Sequence, residues 1–181
     1  MTVRTAALAA SVALAAPGLA LADEHAGRPG EMLAIGAFET ADGDRAGTVS
    51  VSRTPNGLLL VTEVIGLEPG EHGFHIHETG RCEGPDFASA GGHWSPEGRA
   101  HGFAAEDGPH AGDMPNIFVN NDGFAQVHRF LDAATPAGDA EALMDGDGAA
   151  VVVHEDADSY LTEPRADGRV ACAVLAPTTD T

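Results

Sequence analysis

The sequence predicts an all-β protein in which about eight strands form one sandwich or barrel. Short runs rich in Val, Ile, Thr and Phe alternate with clusters of Gly, Pro, Asn and Asp, and the turns recur at the spacing typical of sandwiches. Helix signals are scarce after the first 22 residues. The chain has 181 residues, 43% of them apolar, which suffices for one packed domain but not for two of ordinary size.

The strands follow from these runs and from the turn signals between them. Residues 55–57 (Pro-Asn-Gly) form a hairpin signal after the second strand, and residues 121–123 (Asn-Asp-Gly) separate the fifth strand from the sixth. The predicted strands are residues 32–40, 47–53, 58–65, 73–78, 116–120, 124–130, 149–154 and 169–176.

Three long stretches lack strand periodicity. The longest, residues 79–115, spans 37 residues, and loops of that length are usually functional or disordered. It contains Cys82, Trp94, three histidines and the carboxylate of Asp113, so it is too rich in metal-ligand types for a linker. The other two stretches are an acidic, Gly-containing loop at 132–148 and a polar loop at 155–168.

The charge balance excludes one class of partner. The chain has 28 acidic residues against nine basic ones, all of them Arg, and a net charge of −19. Such a chain cannot neutralise a run of phosphates, so we expect no nucleic-acid partner and no attraction to anionic membranes.

The N-terminus predicts a cleaved signal peptide. Arg4 precedes a short apolar run at 6–16, and residues 20–22 (Ala-Leu-Ala) form an A-x-A cleavage site. A plain N-terminal helix is the alternative, but the apolar run is too short to span a bilayer. We therefore predict a periplasmic or secreted protein without membrane association after cleavage. Its parts are a signal peptide at 1–22, a short tail at 23–31 and a single domain at 32–181.

The two cysteines, Cys82 and Cys172, are interpreted from the predicted compartment. Export leads to an oxidising environment, which favours a disulfide over free thiols. A bridge between them would close a loop of about 90 residues, worth roughly 4–5 kcal/mol in the chain-entropy model.

Six of the nine histidines are candidate metal ligands. His75 and His77 are two apart on a predicted strand, so their imidazoles share one face. His93, His101 and His110 follow in the long loop, with Asp113 three residues after the last, and three His with one Asp suit a closed tetrahedral zinc site. The alternative is a set of exposed loop histidines.

His154 ends an apolar strand and is the sixth candidate. Alone, such a histidine is usually a core or edge residue, and it becomes a ligand candidate only beside the other five. Several imidazoles without a thiolate ligand suit Cu²⁺ or Zn²⁺.

With these residues in view, the sequence resembles the copper–zinc superoxide dismutase family over about residues 32–176. The ligand steps of eight, nine and three from His93 to Asp113 match its zinc loop, and the short step from His77 to Cys82 resembles the bacterial secreted branch. The other matching segments are 73–78 (Gly-Phe-His-Ile-His-Glu), 112–116 (Gly-Asp-Met-Pro-Asn), 153–155 (Val-His-Glu) and 168–172 (Gly-Arg-Val-Ala-Cys).

The resemblance implies a fold and a set of site residues. The fold is an eight-stranded antiparallel Greek-key barrel or sandwich, with a long metal-binding loop and a second long loop near the active site. His93 would bridge two metals, and Asp158 would link His75 to His101. The implied copper ligands are His75, His77, His93 and His154; the zinc ligands are His93, His101, His110 and Asp113; the disulfide joins Cys82 and Cys172. His72 matches a structural histidine, and His25 and His128 match nothing in the family.

The resemblance also implies an activity. The family disproportionates superoxide to dioxygen and hydrogen peroxide with one copper and one zinc ion per chain. Arg169 would hold the anionic substrate, and His93 would supply a proton. A homodimer is compatible with the resemblance, because dimers are common in the family.

Two rival functions and one departure remain at the sequence level. A secreted copper/zinc-binding module without turnover needs the same ligands but not Arg169. A mononuclear zinc hydrolase would need three ligands and a water, whereas this zinc set has four protein ligands. The loop at 155–168 is acidic where the family steers its substrate with positive residues. We expect local positive potential from the metals and Arg169, with a contribution from Arg165 or Arg81, to attract superoxide.

Overall fold

The structure is a computed structural model that describes residues 30–161 and 168–178. The predicted signal peptide, nearly all of the predicted tail, and His25 and Arg165 lie outside these residues. Among the described residues, no helix is long and apolar enough to cross a bilayer.

The regular structure of the described chain is mostly β-strand. One short helix, α1 (Ala140–Leu143), and two 3-10 turns, Ala88–Ala90 and Pro136–Gly138, lie in the loops. The strands are β1 (Met32–Thr40), β2 (Arg45–Thr54), β3 (Gly57–Ile65), β4 (Gly70–His77), β5 (Asp113–Val119), β6 (Phe124–Asp132), β7 (Ala150–His154), β8 (Arg169–Val174) and β9 (Ala176–Pro177).

All eight predicted strands are present, with some different boundaries. β4 begins at Gly70 rather than at 73, and β5 begins at Asp113 rather than at 116. The two early segments contain no apolar alternation, but they are part of the antiparallel β4–β5 ladder. The last predicted strand is divided into β8 and the two-residue β9, which pairs with β1.

The strands form one antiparallel sheet in the order β5-β4-β7-β8-β1-β2-β3-β6. The connections from β3 to β4 and from β6 to β7 each pass over other strands, which is the Greek-key connectivity that the resemblance implied. β5 and β6 end the order and face each other, where Arg129 of β6 donates to the Pro115 and Asn116 carbonyls. The sheet is therefore a nearly closed barrel.

The core fills the inside of this barrel. β1 and β6 alternate buried and exposed residues, as expected for strands with one solvated face. β7 is buried on both faces. Its inward residues Val151 and Val153 join the main core, whereas Val152 packs outside the barrel in a smaller cluster with Phe87 and Cys172.

The outside of β4, β7 and β8 is therefore covered rather than solvated. The loop between β4 and β5 lies over it, and the Cys82–Cys172 disulfide joins this loop to β8. This confirms the predicted disulfide. The covered outer face is where the candidate ligands are found.

Candidate metal centre

β4 places two candidate ligands on the outer face of the barrel. Phe74 and Ile76 point into the core, so His75 and His77 point outward. The loops above leave the two histidines only 1% and 0% exposed. The period of two in this strand therefore produces a pair of buried imidazoles beside each other.

A bulge brings His154 to the same place from β7. The β7–β8 register shifts after Val153, so that His154 lies opposite Arg169. Such a shift changes the direction of a side chain at a strand end. The Nε2 atom of His154 lies 3.3 Å from Nε2 of His77.

His93 comes from the long loop and lies between two groups of residues that could each bind a metal ion. It makes an isolated β-bridge with His77, and its ring centroid is 4.0 Å from that of His75 and 5.0 Å from that of His101. In each group, one ligand atom per residue lies within 4.8 Å of all the others, which is close enough to hold a metal ion. The groups are His75, His77, His93 and His154, and His93, His101, His110 and Asp113.

The second group converges on one carboxylate oxygen. Asp113 Oδ1 lies 2.9 Å from His93 Nδ1, 3.2 Å from His101 Nδ1 and 3.3 Å from His110 Nδ1. In a zinc tetrahedron with bonds near 2.0–2.1 Å, neighbouring ligand atoms are roughly 3.3 Å apart. The group therefore has the donor set and the spacing of a zinc site.

His101 shows that a cation suits this group. Its Nδ1 faces the Asp113 carboxylate, and its Nε2 lies 3.1 Å from Asp158 Oδ1. A neutral imidazole can donate to only one of the two carboxylates, and its other lone pair would then face a second anion. A metal ion between Nδ1 and Asp113 removes that conflict.

The four-histidine group leaves ring nitrogens free. His75 donates from Nε2 to Asp158, and its Nδ1 is buried with no hydrogen-bond partner in the described part of the chain. His77 donates from Nδ1 to the Gly91 carbonyl, which leaves the lone pair on Nε2. His154 directs its Nε2 to the same place, 3.3 Å from Nε2 of His77, while its Nδ1 is buried with no hydrogen-bond partner among the described residues. Converging neutral imidazoles with free lone pairs fit a copper ion.

Burial keeps these imidazoles neutral. Desolvation, with the nearby His93, lowers the pKa of His77 to about 2, and desolvation with His75 and His77 does the same for His154. Desolvation also lowers the pKa of His75. Neutral imidazole is the form that binds a metal ion, so the folded chain presents these three side chains as ligands.

The two carboxylates are held ionised. Burial alone would raise the pKa of Asp113, but hydrogen bonds from His93 and the Gly102 N–H outweigh it and hold that pKa well below its usual range. The same balance holds for Asp158, where His75, the Tyr160 N–H and His101 outweigh burial. Both side chains can therefore act as anions in the site.

Asp158 connects the two groups. Its Oδ2 accepts from His75 at 3.0 Å and its Oδ1 from His101 at 3.1 Å, so one carboxylate contacts one histidine of each group. Second contacts of this kind fix the ring orientation and the tautomer of a ligand histidine.

Arg169 lies beside the four-histidine group. Its NH1 and NH2 atoms each donate at 2.7 Å, to the carbonyls of Phe87 and Gly91. Gly91 O also accepts from His77, so the guanidinium and a candidate ligand share one anchor. Burial lowers the pKa of Arg169, but a guanidinium stays charged at any physiological pH.

The other described histidines lie outside both groups. His72 contacts the carbonyls of His154 and Glu68 through its two ring nitrogens, and His128 is exposed on β6. Sequence reasoning did not single out the Phe87 and Gly91 carbonyls, or Asn116 and Tyr160, which contact Asp158. Main-chain acceptors carry no side-chain signal, and the contacts of Asn116 and Tyr160 appear only in the folded chain.

Comparison with known proteins identifies the family. The family model for copper/zinc superoxide dismutase (SODC) matches residues 45–175. This chain belongs to the copper/zinc superoxide dismutase family, as the resemblance predicted.

The relatives include several bacterial enzymes. The chain is 40% identical to a protein of Caulobacter vibrioides named "Superoxide dismutase [Cu-Zn]", over 90% of this chain and 97% of the relative. It is 38% identical to "Superoxide dismutase [Cu-Zn] 2" of Aquifex aeolicus, over 74% of this chain and 81% of the relative.

Solved structures agree with the fold. The copper/zinc superoxide dismutase of Brucella abortus superposes with a TM-score of 0.60 at 28% identity, over 78% of this chain and 98% of that one. A protein of Bacillus subtilis described only as "SOD-like" superposes with a TM-score of 0.73 at 35% identity, over 80% of this chain and 99% of that one. The matches thus include one protein named only as similar to the enzymes, so the site residues must carry the argument for activity.

Proposed function

We propose that this protein is a superoxide dismutase, which converts two superoxide anions and two protons into dioxygen and hydrogen peroxide. The observation that carries the proposal is a four-histidine group that shares His93 with a three-histidine, one-aspartate group and has Arg169 beside it. The names of the bacterial relatives support the same activity.

The two groups would hold different metals. His75, His77, His93 and His154 would hold copper, because they supply imidazole nitrogens alone. His93, His101, His110 and Asp113 would hold zinc, because three imidazoles and one carboxylate are ligands that suit this ion. Copper would supply reversible one-electron exchange with superoxide. Zinc, which does not change redox state, would fix the positions of His93 and the long loop.

Arg169 would bind the substrate. The carbonyls of Phe87 and Gly91 hold its guanidinium rigidly beside the four-histidine group. The permanent charge and the fork of donors suit a small anion. Arg169 would therefore raise the local concentration of superoxide and orient it towards the copper ligands.

His93 would move a proton. Its Nδ1 contacts Asp113 in the zinc group, which leaves Nε2 for the copper group. Proton uptake at this Nε2 and its transfer to the reduced substrate would supply one of the two protons of hydrogen peroxide.

A secreted copper/zinc-binding module without turnover is not favoured. Its ligands would be the same, but it would have no use for the anchored guanidinium of Arg169. A zinc hydrolase is also disfavoured, because the zinc group has four protein ligands and so no place for a reactive water.

The test is metal content and dismutase activity of the purified protein and of His154→Ala, with His128→Ala as the control. His128 is exposed on β6, so its variant should match the wild type. We expect about one copper and one zinc per chain in the wild type, and loss of copper and activity but retention of zinc in His154→Ala. Zinc binding without dismutation after full copper loading would overturn the proposal.

We also propose export to the periplasm or the medium, with cleavage after Ala22. The A-x-A signal supports this, and the disulfide suits an oxidising compartment. The N-terminal sequence of the exported protein should begin at Asp23. A homodimer stays a prediction of the family resemblance, and the molar mass of the exported protein in solution would test it.

A further inference from the structure

Asn116 holds the main chain of Asp158 from two sides. Its side-chain Oδ1 accepts from the Asp158 N–H at 2.9 Å, and its Nδ2 donates to the Asp158 carbonyl at 3.0 Å. One amide therefore satisfies both main-chain groups of one residue, as a neighbouring strand would. The two residues are 42 positions apart in the chain.

The clamped residue lies in a segment that no sheet ladder supports. Asp158 lies in the irregular loop that follows β7. Two residues before Asp158, the Asp156 carbonyl accepts a hydrogen bond from the Gly73 N–H of β4. An irregular segment has more conformations to lose than a strand, so a defined position for Asp158 requires specific contacts.

Asn116 itself is rigidly placed. It lies on β5, three residues after Asp113, which starts that strand. Its main-chain N–H donates to the Tyr160 hydroxyl at 2.9 Å, and its carbonyl accepts from Arg129. Tyr160 in turn donates its N–H to Asp158 Oδ1 at 2.8 Å. The Asn116 amide is therefore a fixed point that can set the position of the irregular segment that carries Asp158.

We propose that Asn116 is a positioning residue for both metal groups: its amide fixes the main chain of Asp158, whose carboxylate orients His75 and His101. The inference rests on the proposed metal groups and adds to them a residue that touches neither metal. In this arrangement β5 contributes two parts of the site: the carboxylate of Asp113 and the Asn116 amide that fixes the main chain of Asp158.

Loss of the Asn116 amide should weaken the binding of zinc more directly than the binding of copper. His101 is held between Asp113 and Asp158, so rotation of the Asp158 carboxylate removes the contact that orients its ring. Loss of an outer contact of this kind typically lowers metal affinity 10- to 100-fold. His75 is held by the same carboxylate, so copper binding should change in the same direction.

The test measures zinc affinity of the full, disulfide-bonded chain after metal removal, by competition with a chromophoric chelator. We expect Asn116→Ala to weaken zinc binding about 10- to 100-fold. Asn116→Asp is nearly isosteric and keeps the acceptor for the Asp158 N–H but lacks the donor, so it should fold and still bind zinc more weakly than the wild type. Zinc affinities of both variants within about twofold of the wild-type affinity would overturn the inference.

Two controls separate positioning from general destabilisation. Gln126→Ala removes an exposed amide hydrogen bond to Glu63, so this variant should bind zinc nearly as tightly as the wild type. If Asn116 acts through Asp158, adding Asn116→Ala to Asp158→Ala should weaken zinc binding less than about threefold further. A full additive loss would overturn the proposed route.

The visible spectrum of Co²⁺ in the zinc group provides a second readout. We expect the bands of the tetrahedral ion to shift in Asn116→Ala and to stay unchanged in Gln126→Ala. A wild-type chain that binds no zinc would overturn the proposed function and this inference together, whereas normal wild-type binding with unchanged Asn116 variants would overturn only the inference.

Discussion

At the scale of single residues, the site depends on which ring nitrogen each histidine keeps free. His75 donates from Nε2 and His77 from Nδ1, although the two lie on the same strand two residues apart. The difference arises from their acceptors, a carboxylate for one and a main-chain carbonyl for the other. These acceptors, and not the histidines themselves, determine where the lone pairs point.

Arg169→Ala tests the anion site at this scale. The guanidinium makes charge-assisted hydrogen bonds, and the loss of such a contact to an anion costs about 10- to 100-fold. We expect kcat/KM for superoxide to fall by that factor with copper and zinc content unchanged, and Arg169→Lys to retain part of the activity. Arg45→Ala changes the net charge equally at an exposed strand position and is the control. Equal activity of the alanine variants at both positions would contradict the role.

At the scale of elements, the long loop after β4 connects stability to activity. The disulfide joins this loop to β8 across 90 residues. Between Cys82 and His93 the loop carries both acceptors of Arg169, the carbonyls of Phe87 and Gly91. Further along, Gly112 approaches so closely that a Cβ there would overlap the Ile76 carbonyl. The loop is therefore packed against β4 at several points.

Removal of the disulfide by Cys82→Ser with Cys172→Ser should affect both properties. Closing a loop of this length is worth roughly 4–5 kcal/mol in the chain-entropy model, so the free energy of unfolding should fall by about that amount. Because the anchors of Arg169 lie on the released segment, kcat/KM should also fall. Urea unfolding and activity assays measure the two effects separately. A less stable but fully active variant would show that packing around Phe87 alone holds the segment.

At the scale of the whole molecule, the metal-free barrel contains several buried neutral histidines. Their pKa is lowered from 6.5, to about 2 for His77 and His154, so the folded chain excludes protons that the unfolded chain binds. The stabilisation is present above the unfolded pKa and is lost as the pH falls below about 6.5. Asp113 and Asp158, with lowered pKa values, add a further loss at more acidic pH.

The metal-free protein should therefore become less stable as the pH falls from about 7.5 to 5.5. Each of the buried histidines contributes a slope of up to about 1.4 kcal/mol per pH unit. Denaturant unfolding of chelator-treated protein at several pH values measures this slope. A free energy of unfolding that is constant over this range would contradict the burial of neutral imidazoles.

The net charge of −19 sets the second prediction at this scale. Superoxide is an anion, so long-range repulsion and the local attraction of Arg169 and the metals oppose each other. We expect local attraction to dominate, and screening of it should lower kcat/KM as salt is added. Steering of this kind changes association rates by roughly 10- to 1000-fold. A rise of kcat/KM with moderate salt would show that repulsion limits capture.

The sequence predicted the fold more closely than the strand ends. β1 was predicted with its observed bounds, because its mostly apolar run is followed closely by the turn signal at 42–44 (Asp-Gly-Asp). The first residues of β4 and β5 were missed, because the start of each strand gains its strand character only by pairing with the later part of the other. Likewise, the structure brings the spaced histidines together, but nothing in the sequence relates Asn116 to Asp158.

The sequence by itself determined the strand pattern, the family, the disulfide partners and the ligand types, because these depend on side-chain chemistry and short-range spacing. Only the tertiary structure decided the free nitrogen of each histidine, the anchors of Arg169 and the amide clamp on Asp158. These depend on main-chain carbonyls and on residues far apart in the chain. Their positions are settled by the closure of the barrel and the packing of its loops against β4 and β8.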